Sequence, residues 1–168
     1  GSGWANACDT PWRLYKHYGH EGGIATPAII HWPAGIKSKE QGGLTPRLSY
    51  LPDIMATCLE LSGANYPSER NGNKILPPEG VSLVPLMKGK NPKPEIIVME
   101  HEGNRAIRDG KWKLVALAGK PWELYDMEKD RVEMNNLAAK NPKKVKELSE
   151  KWDAWAKRAN VIHGPKGI

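Results

Sequence analysis

The stretch EIIVMEHEGNRAIRDGKWKLVALAGKPWELYDM, residues 95–127, decides the fold. Four short runs, EIIVMEH, NRAIRDG, KWKLVALA and PWELYDM, are rich in β-branched and aromatic residues, and the turn signals EGN, DG and AGK separate them. Closely spaced runs of this kind predict a four-stranded antiparallel meander. Downstream, Asn141 and Pro142 start a helix on which Val145, Leu148, Trp152, Trp155 and Ala159 share a face. That face is expected to cover the meander, each large apolar side chain contributing on the order of 2 kcal/mol as it leaves water.

Upstream of the meander the pattern is of an α/β kind. In GGIATPAIIHWPAGI, the run Ala28, Ile29, Ile30 between prolines reads as a short strand buried on both faces. SYLPDIMATCLELSG then places Leu51, Ile54, Met55, Cys58 and Leu61 on one helical stripe, with Ser49 as N-cap and Gly63 as the stop. Cys58 is expected there as a small core residue. The segment ANYPSERNGNKILPPEG reads as an irregular surface connection, and VSLVPLMKGKNPKPE as one short helical turn before a Pro-rich spacer. The expected organisation is residues 1–90 as the end of an α/β core and residues 91–168 as a small antiparallel-sheet subdomain with a long helix. One strand and one helix cannot enclose residues 27–33 by themselves, so the first part reads as incomplete.

The chain has 168 residues, enough for one well-buried domain or two smaller units. Its net charge of +6 and pI near 9.3 favour anionic partners: nucleic acid, acidic lipid, or a sulfated or phosphorylated substrate. Much of the excess lies in KNPKKVKELSEKWDAWAKR, which reads as the solvated face of an amphipathic helix. No window reaches the apolar length of a membrane span, and GSGWANAC lacks the charged and hydrophobic regions of a signal peptide, so a soluble segment is expected. Two cysteines, Cys8 and Cys58, make neither a disulfide scaffold nor a metal-ligand spacing.

The chemistry concentrates in CDTPWRLYKHYGHEGG, residues 8–23. Lys16, His17 and His20 can each present positive charge or hydrogen-bond donors to an oxyanion from a loop preceding the expected strand. Gly22 and Gly23 are read as allowing a sharp backbone turn. Taken without any resemblance, an exposed polar loop is the preferred account of these residues.

TPWRLYKHYGHEGGIATPAIIHWPAGI resembles the late signature of the type I sulfatases, the arylsulfatase family of the alkaline-phosphatase superfamily. In that signature a lysine precedes Glu-Gly-Gly by five residues and the following strand ends in Trp-Pro; here the lysine is Lys16 and the glutamate Glu21. YLPDIMATCLELSGANYP, GVSLVPLMKGK, and NRAIRDGKWKLV followed by WELYDMEKDRVEMNNLA resemble three further elements of the family in the same order. The resemblance covers most of the chain.

The resemblance implies the C-terminal portion of a sulfatase acting on carbohydrate or aryl sulfate esters, completed by the N-terminal catalytic part of the same protein. Neither a nucleic-acid nor a membrane partner is implied. Lys16 would contact the substrate sulfate. His20 would line the pocket or pack, His17 would be an exposed loop residue, and Glu21 would pair or cap near the strand entrance. The family's nucleophile is a formylglycine made from Cys/Ser-x-Pro-x-Arg. CDTPWR has one residue too many between Cys8 and Pro11, so Cys8 is read as an ordinary loop cysteine. The family's calcium ligands, an Asp-Asp pair and an Asp-Asn pair, are not recognisable here. Calcium and formylglycine are therefore expected in the parent, which the family's habit would place in the periplasm or outside the cell, and the segment by itself is expected to be inactive.

His101, with Glu100, Glu102, Asn104 and Arg105 in MEHEGNRAIR, sits at a turn able to bind sugar hydroxyls or a carboxylate, although a polar hairpin tip explains the same residues. Trp4 and Trp12 are candidates for a sugar-stacking platform. Two rival readings are a related phosphoesterase or phosphonate hydrolase and an independent polyanion- or carbohydrate-binding module.

Overall fold

The computed structural model describes residues 1–37, 41–90 and 96–162. In chain order the helices and strands are α1 (Ser2–Cys8), α2 (Glu21–Ile24), α3 (Leu51–Ser62), β1 (Glu69–Arg70), β2 (Asn73–Lys74), α4 (Val84–Met87), β3 (Ile97–His101), β4 (Asn104–Asp109), β5 (Trp112–Ala116), β6 (Glu123–Asp126) and α5 (Pro142–Arg158). Two compact units form. One contains Gly1–Pro27 and the described residues from Ile96 on; the other contains the described residues between Ala28 and Lys90.

In the first unit the predicted meander is present as an antiparallel sheet in the order β3-β4-β5-β6. Its first turn is the two-residue Glu102-Gly103, where both residues have positive φ, +53° and +80°. A two-residue hairpin needs this left-handed backbone to match the twist of its strands. Strand alternation sends Ile107, Leu114 and Leu124 to one face, where they form a core with Leu148, Trp152 and Ala156 of α5. The Trp152 indole N–H donates to the Met99 carbonyl at 3.1 Å, so this large buried ring leaves no polar atom stranded. The helical stripe is as expected except at its end. Ala156 is buried, whereas Ala159 is exposed because the helix has already stopped at Arg158.

The opposite face carries Ala106, Val115, Tyr125 and Met127, with Met99 packed beside them. The register brings further residues to this face: His101 opposite Asn104, Arg108 opposite Lys113, and Val115 opposite Glu123. Such a mixed surface would ordinarily meet water. Here Gly19 lies against it, so closely that an added Cβ would come within 3.1 Å of Ala106 Cβ and 3.2 Å of Val115 Cγ2. The sheet is therefore covered on both sides, by α5 and by the loop leading to Glu-Gly-Gly.

The second unit departs from the sequence expectations in four ways. Residues 28–30 form no strand, and Ile29 is 94% exposed; among the described residues no strand lies beside them to satisfy their backbone. Helix α3 ends at Gly63 in the left-handed conformation as predicted, but its N-cap is Tyr50, in a capping box with Asp53. Its expected apolar stripe is outward: Leu51, Ile54, Met55 and Leu61 are exposed, as is Cys58. The buried residues are Asp53 and Thr57, which accept hydrogen bonds from the backbone N–H groups of Val81 and Leu83 at 2.9 and 2.8 Å. Finally, the connection expected to be irregular contains the hairpin β1–β2, turned at Asn71-Gly72 with φ of +52° and +78°. An Asn-Gly pair is a strong hairpin signal. α4 supplies the expected single helical turn, while residues 91–95 of the Pro-rich spacer lie outside the described residues.

Candidate functional site

Glu21 fastens the candidate loop to the sheet. Its carboxylate Oε1 accepts a hydrogen bond from the Lys113 ammonium at 2.8 Å, and its backbone N–H donates to Glu133 Oε2, also at 2.8 Å. Lys113 Nζ is in addition 2.7 Å from Glu133 Oε1, an ion contact outside hydrogen-bond alignment. All three side chains are buried, and Arg131 lies 3.8 Å from Glu21 at the solvent rim. One ammonium between two carboxylates compensates charges whose separate burial would cost several kcal/mol each.

The two glycines that follow are required for close approach. Neither has a positive φ. A Cβ on Gly22 would sit 2.1 Å from the Leu14 carbonyl oxygen, and one on Gly23 2.1 Å from the Tyr18 carbonyl oxygen. Gly22 N–H donates to the Arg13 carbonyl at 2.9 Å, and Gly23 N–H to that of His20 at 2.8 Å. The loop thus folds back upon the short helix α2, and what these glycines supply is room for close backbone approach.

His20 is fully enclosed. Its Nε2 is 3.3 Å from Glu123 Oε2, while its Nδ1 has no partner among the described residues. Burial lowers its pKa, partly offset by the negative charge of Glu133 and the hydrogen bond with Glu123. Glu123 also accepts from the Tyr125 hydroxyl and from Arg13 Nη1, the latter at 2.9 Å. Burial works to raise the Glu123 pKa, but the hydrogen bonds from Tyr125 and His20 and the charge of Arg13 bring it below the usual carboxylate range. Arg13 Nη1 further reaches the Tyr125 oxygen at 2.7 Å and the Glu133 carbonyl at 3.2 Å.

Between these anchors Lys16 is exposed and forms no ion pair or hydrogen bond among the described residues. Next to it, His17 has φ +88° and its Nδ1 is 2.7 Å from Glu102 Oε2 on the β3–β4 turn. The His17 ring stacks on His101 with centroids 5.7 Å apart and planes 22° from parallel. Buried Asn104 ties both backbones together: its Nδ2 donates to the His17 carbonyl at 3.0 Å and the His101 carbonyl at 3.1 Å, and its Oδ1 accepts from Ala118 N–H at 3.2 Å. His17 and His101, far apart in the chain, thus share one surface.

Of the residues singled out in the sequence, Lys16, His17 and His101 lie at the surface, whereas His20 has the packing geometry of its two expected roles. Trp12 stacks under the Arg131 guanidinium at 4.5 Å, and Trp4 is exposed on α1, a helix the sequence reading did not anticipate. Cys8 is exposed and free. The residues that hold the loop, Lys113, Glu123, Glu133 and Asn104, were not singled out for that role. Their alternation with apolar residues marks a polar sheet face, and only the docked loop turns that face into an interior.

The described residues do not fit a calcium site. Buried Asp53 accepts the backbone N–H groups of Tyr50 and Val81, and buried Asp126 and Asp130 accept those of nearby residues in their own turn. The one cluster of three metal-ligating side chains among the described residues is His17, His101 and Glu102, whereas calcium asks for six to eight oxygens.

Residues 11–158 match the family described as N-sulphoglucosamine sulphohydrolase, C-terminal. An uncharacterized sulfatase of Schizosaccharomyces pombe is 32% identical over 173 residues, covering 98% of this chain and 31% of that protein. The N-acetylgalactosamine-6-O-sulfatase of Bacteroides thetaiotaomicron is 29% identical over 161 residues, covering 84% of this chain and 30% of the relative. Among solved structures, the crystal structure of Ps i-CgsB with k-i-k-neocarrahexaose superposes with a TM-score of 0.71 at 25% identity, over 88% of this chain and 32% of that one. The chain therefore spans about a third of the length of these relatives.

Proposed function

Because the chain belongs to the N-sulphoglucosamine sulphohydrolase C-terminal family, we propose that it closes the active site of a sulfatase by presenting Lys16 to the sulfate group of a sulfated carbohydrate or aryl ester. The observation that carries this reading is the contrast around Lys16: an exposed ammonium with no ion pair or hydrogen bond among the described residues, on a loop held by the buried Glu21–Lys113–Glu133 cluster. An anchored cation of this kind can stabilise charge that grows on sulfate and leaving-group oxygens, because its position needs little reorganisation during the reaction. The names of the relatives support sulfate esters over phosphate or phosphonate esters.

In this proposal the unit that begins at Ala28 completes an α/β core whose remainder belongs to the same protein, while residues 1–27 stay with the sheet. The outward apolar residues Ile29, Leu51, Ile54 and Met55 then meet that remainder. Calcium and formylglycine, together with their ligands, belong to it also, and the 168 residues alone release no sulfate. The parent works, in this reading, in the periplasm or outside the cell.

Lys16→Ala in the intact protein tests the assignment. A fall in kcat/KM of about 100-fold or more on a sulfate ester, with the unfolding midpoint unchanged, is expected for a lost charge-stabilising contact. Unchanged kinetics would remove Lys16 from the site.

A further inference from the structure

His17, His101 and Glu102 present two imidazole nitrogens and a carboxylate, one ligand atom from each lying within 4.8 Å of the others. His17 Nδ1 is 2.7 Å from Glu102 Oε2, and His101 Nε2 is 3.9 Å from Glu102 Oε1. Ligand atoms around one tetrahedral zinc ion, with bonds of about 2.0–2.1 Å, are roughly 3.3 Å apart. The observed separations straddle that value. All three side chains are about half exposed, so small rotations at their tips can bring the atoms to a common centre without disturbing the core.

The backbones below them are held. Asn104, buried beneath the turn, bonds the carbonyls of both His17 and His101, and Glu102 has the left-handed conformation that the hairpin demands. The loop contributing His17 is itself fastened through Glu21 to Lys113. Two ligands thus come from one hairpin end and the third from a separately anchored loop, which favours a defined site over a chance meeting of mobile side chains.

From this geometry we propose that His17, His101 and Glu102 bind a divalent transition-metal ion of the zinc type. Two nitrogens and one carboxylate suit zinc and its neighbours, whereas calcium favours an all-oxygen shell. Three protein ligands leave a coordination position for water or an anionic group. The site adjoins Lys16 in sequence, but its metal affinity does not depend on the sulfatase reading, since binding is measured without turnover.

The test is zinc titration of the intact protein and of the double variant His17→Gln/His101→Gln, folding being checked by circular dichroism. The wild type should bind one more equivalent of Zn2+ than the double variant, and Glu102→Gln should weaken that equivalent at least 10-fold. His31→Gln should leave it unchanged. On the wild type, Zn2+ should also protect His17 and His101, but not exposed His31, from diethyl pyrocarbonate, which provides a reading independent of variant folding. Equal stoichiometry in wild type and a folded double variant, or undiminished modification of His17 and His101 with Zn2+ present, would overturn the proposal.

Discussion

The Lys113 ammonium and the Glu21 carboxylate meet at 2.8 Å with only 1% and 5% of each residue exposed. This pair joins the Glu-Gly-Gly segment to a strand more than ninety positions further along the chain. Removing the cation alone leaves Glu21 and Glu133 facing one another in the interior. Lys113→Ala is therefore expected to destabilise the protein by about 3–5 kcal/mol. The triple change Lys113→Met/Glu21→Gln/Glu133→Gln should cost less than this single one, because it leaves no uncompensated charge. Urea midpoints of the two variants provide the comparison, and the reverse order would contradict the ion-cluster account.

Gly22→Ala should be far more damaging than Gly119→Ala. At Gly22 the new methyl would lie 2.1 Å from a backbone oxygen; at Gly119 it would meet open space, with only a φ of +68° to oppose it. The second change should cost about 1 kcal/mol. The first should displace the loop from the sheet, seen as a large fall in thermal midpoint and rapid proteolysis between residues 9 and 23.

The buried His20 ring predicts a pH dependence with a definite sign. Its folded pKa is below the unfolded value of 6.5, so the unfolded chain binds the proton more readily. Its contribution is complete above pH 6.5 and is lost as pH falls from there towards the folded value. Glu123, whose folded pKa is also depressed, adds a second loss at lower pH, below its ordinary value of 4.5 and through its folded value. His20→Gln should flatten the pH dependence of the unfolding free energy just below pH 6.5. An unaltered slope in this variant would mean another group governs that window.

Asn104 makes three hydrogen bonds from a buried position, two of them to the segments carrying His17 and His101. Asn104→Ala leaves these carbonyls and the Ala118 N–H without that partner and should cost about 1–3 kcal/mol. Amide exchange at Ala118 should accelerate, and the His17 loop should become more open to proteases. If exchange there stays as slow as in the wild type, Asn104 is not the clasp.

The sheet and the helix over it were legible from sequence because their signals are local. Turn residues at Glu102-Gly103, alternation through Ile107, Leu114 and Leu124, and the helical spacing of Leu148 and Trp152 all report contacts between chain neighbours or along one repeating face. The family motif likewise put Lys16 and Glu21 in view. What a segment packs against is a different kind of information. The apolar stripe of α3 and the run at residues 28–30 have the composition of buried elements, yet are exposed here because the described residues provide no complementary surface.

The amino-acid sequence by itself determined the meander, its covering helix, the family, and the residue pattern around Lys16. Tertiary structure alone decided that a polar sheet face becomes an interior, that Lys113 serves Glu21, and that His17 meets His101. The reason is physical: alternation states which side chains share a face, but burial of charge depends on which distant segment arrives with the opposite charge and no room for a side chain at Gly22.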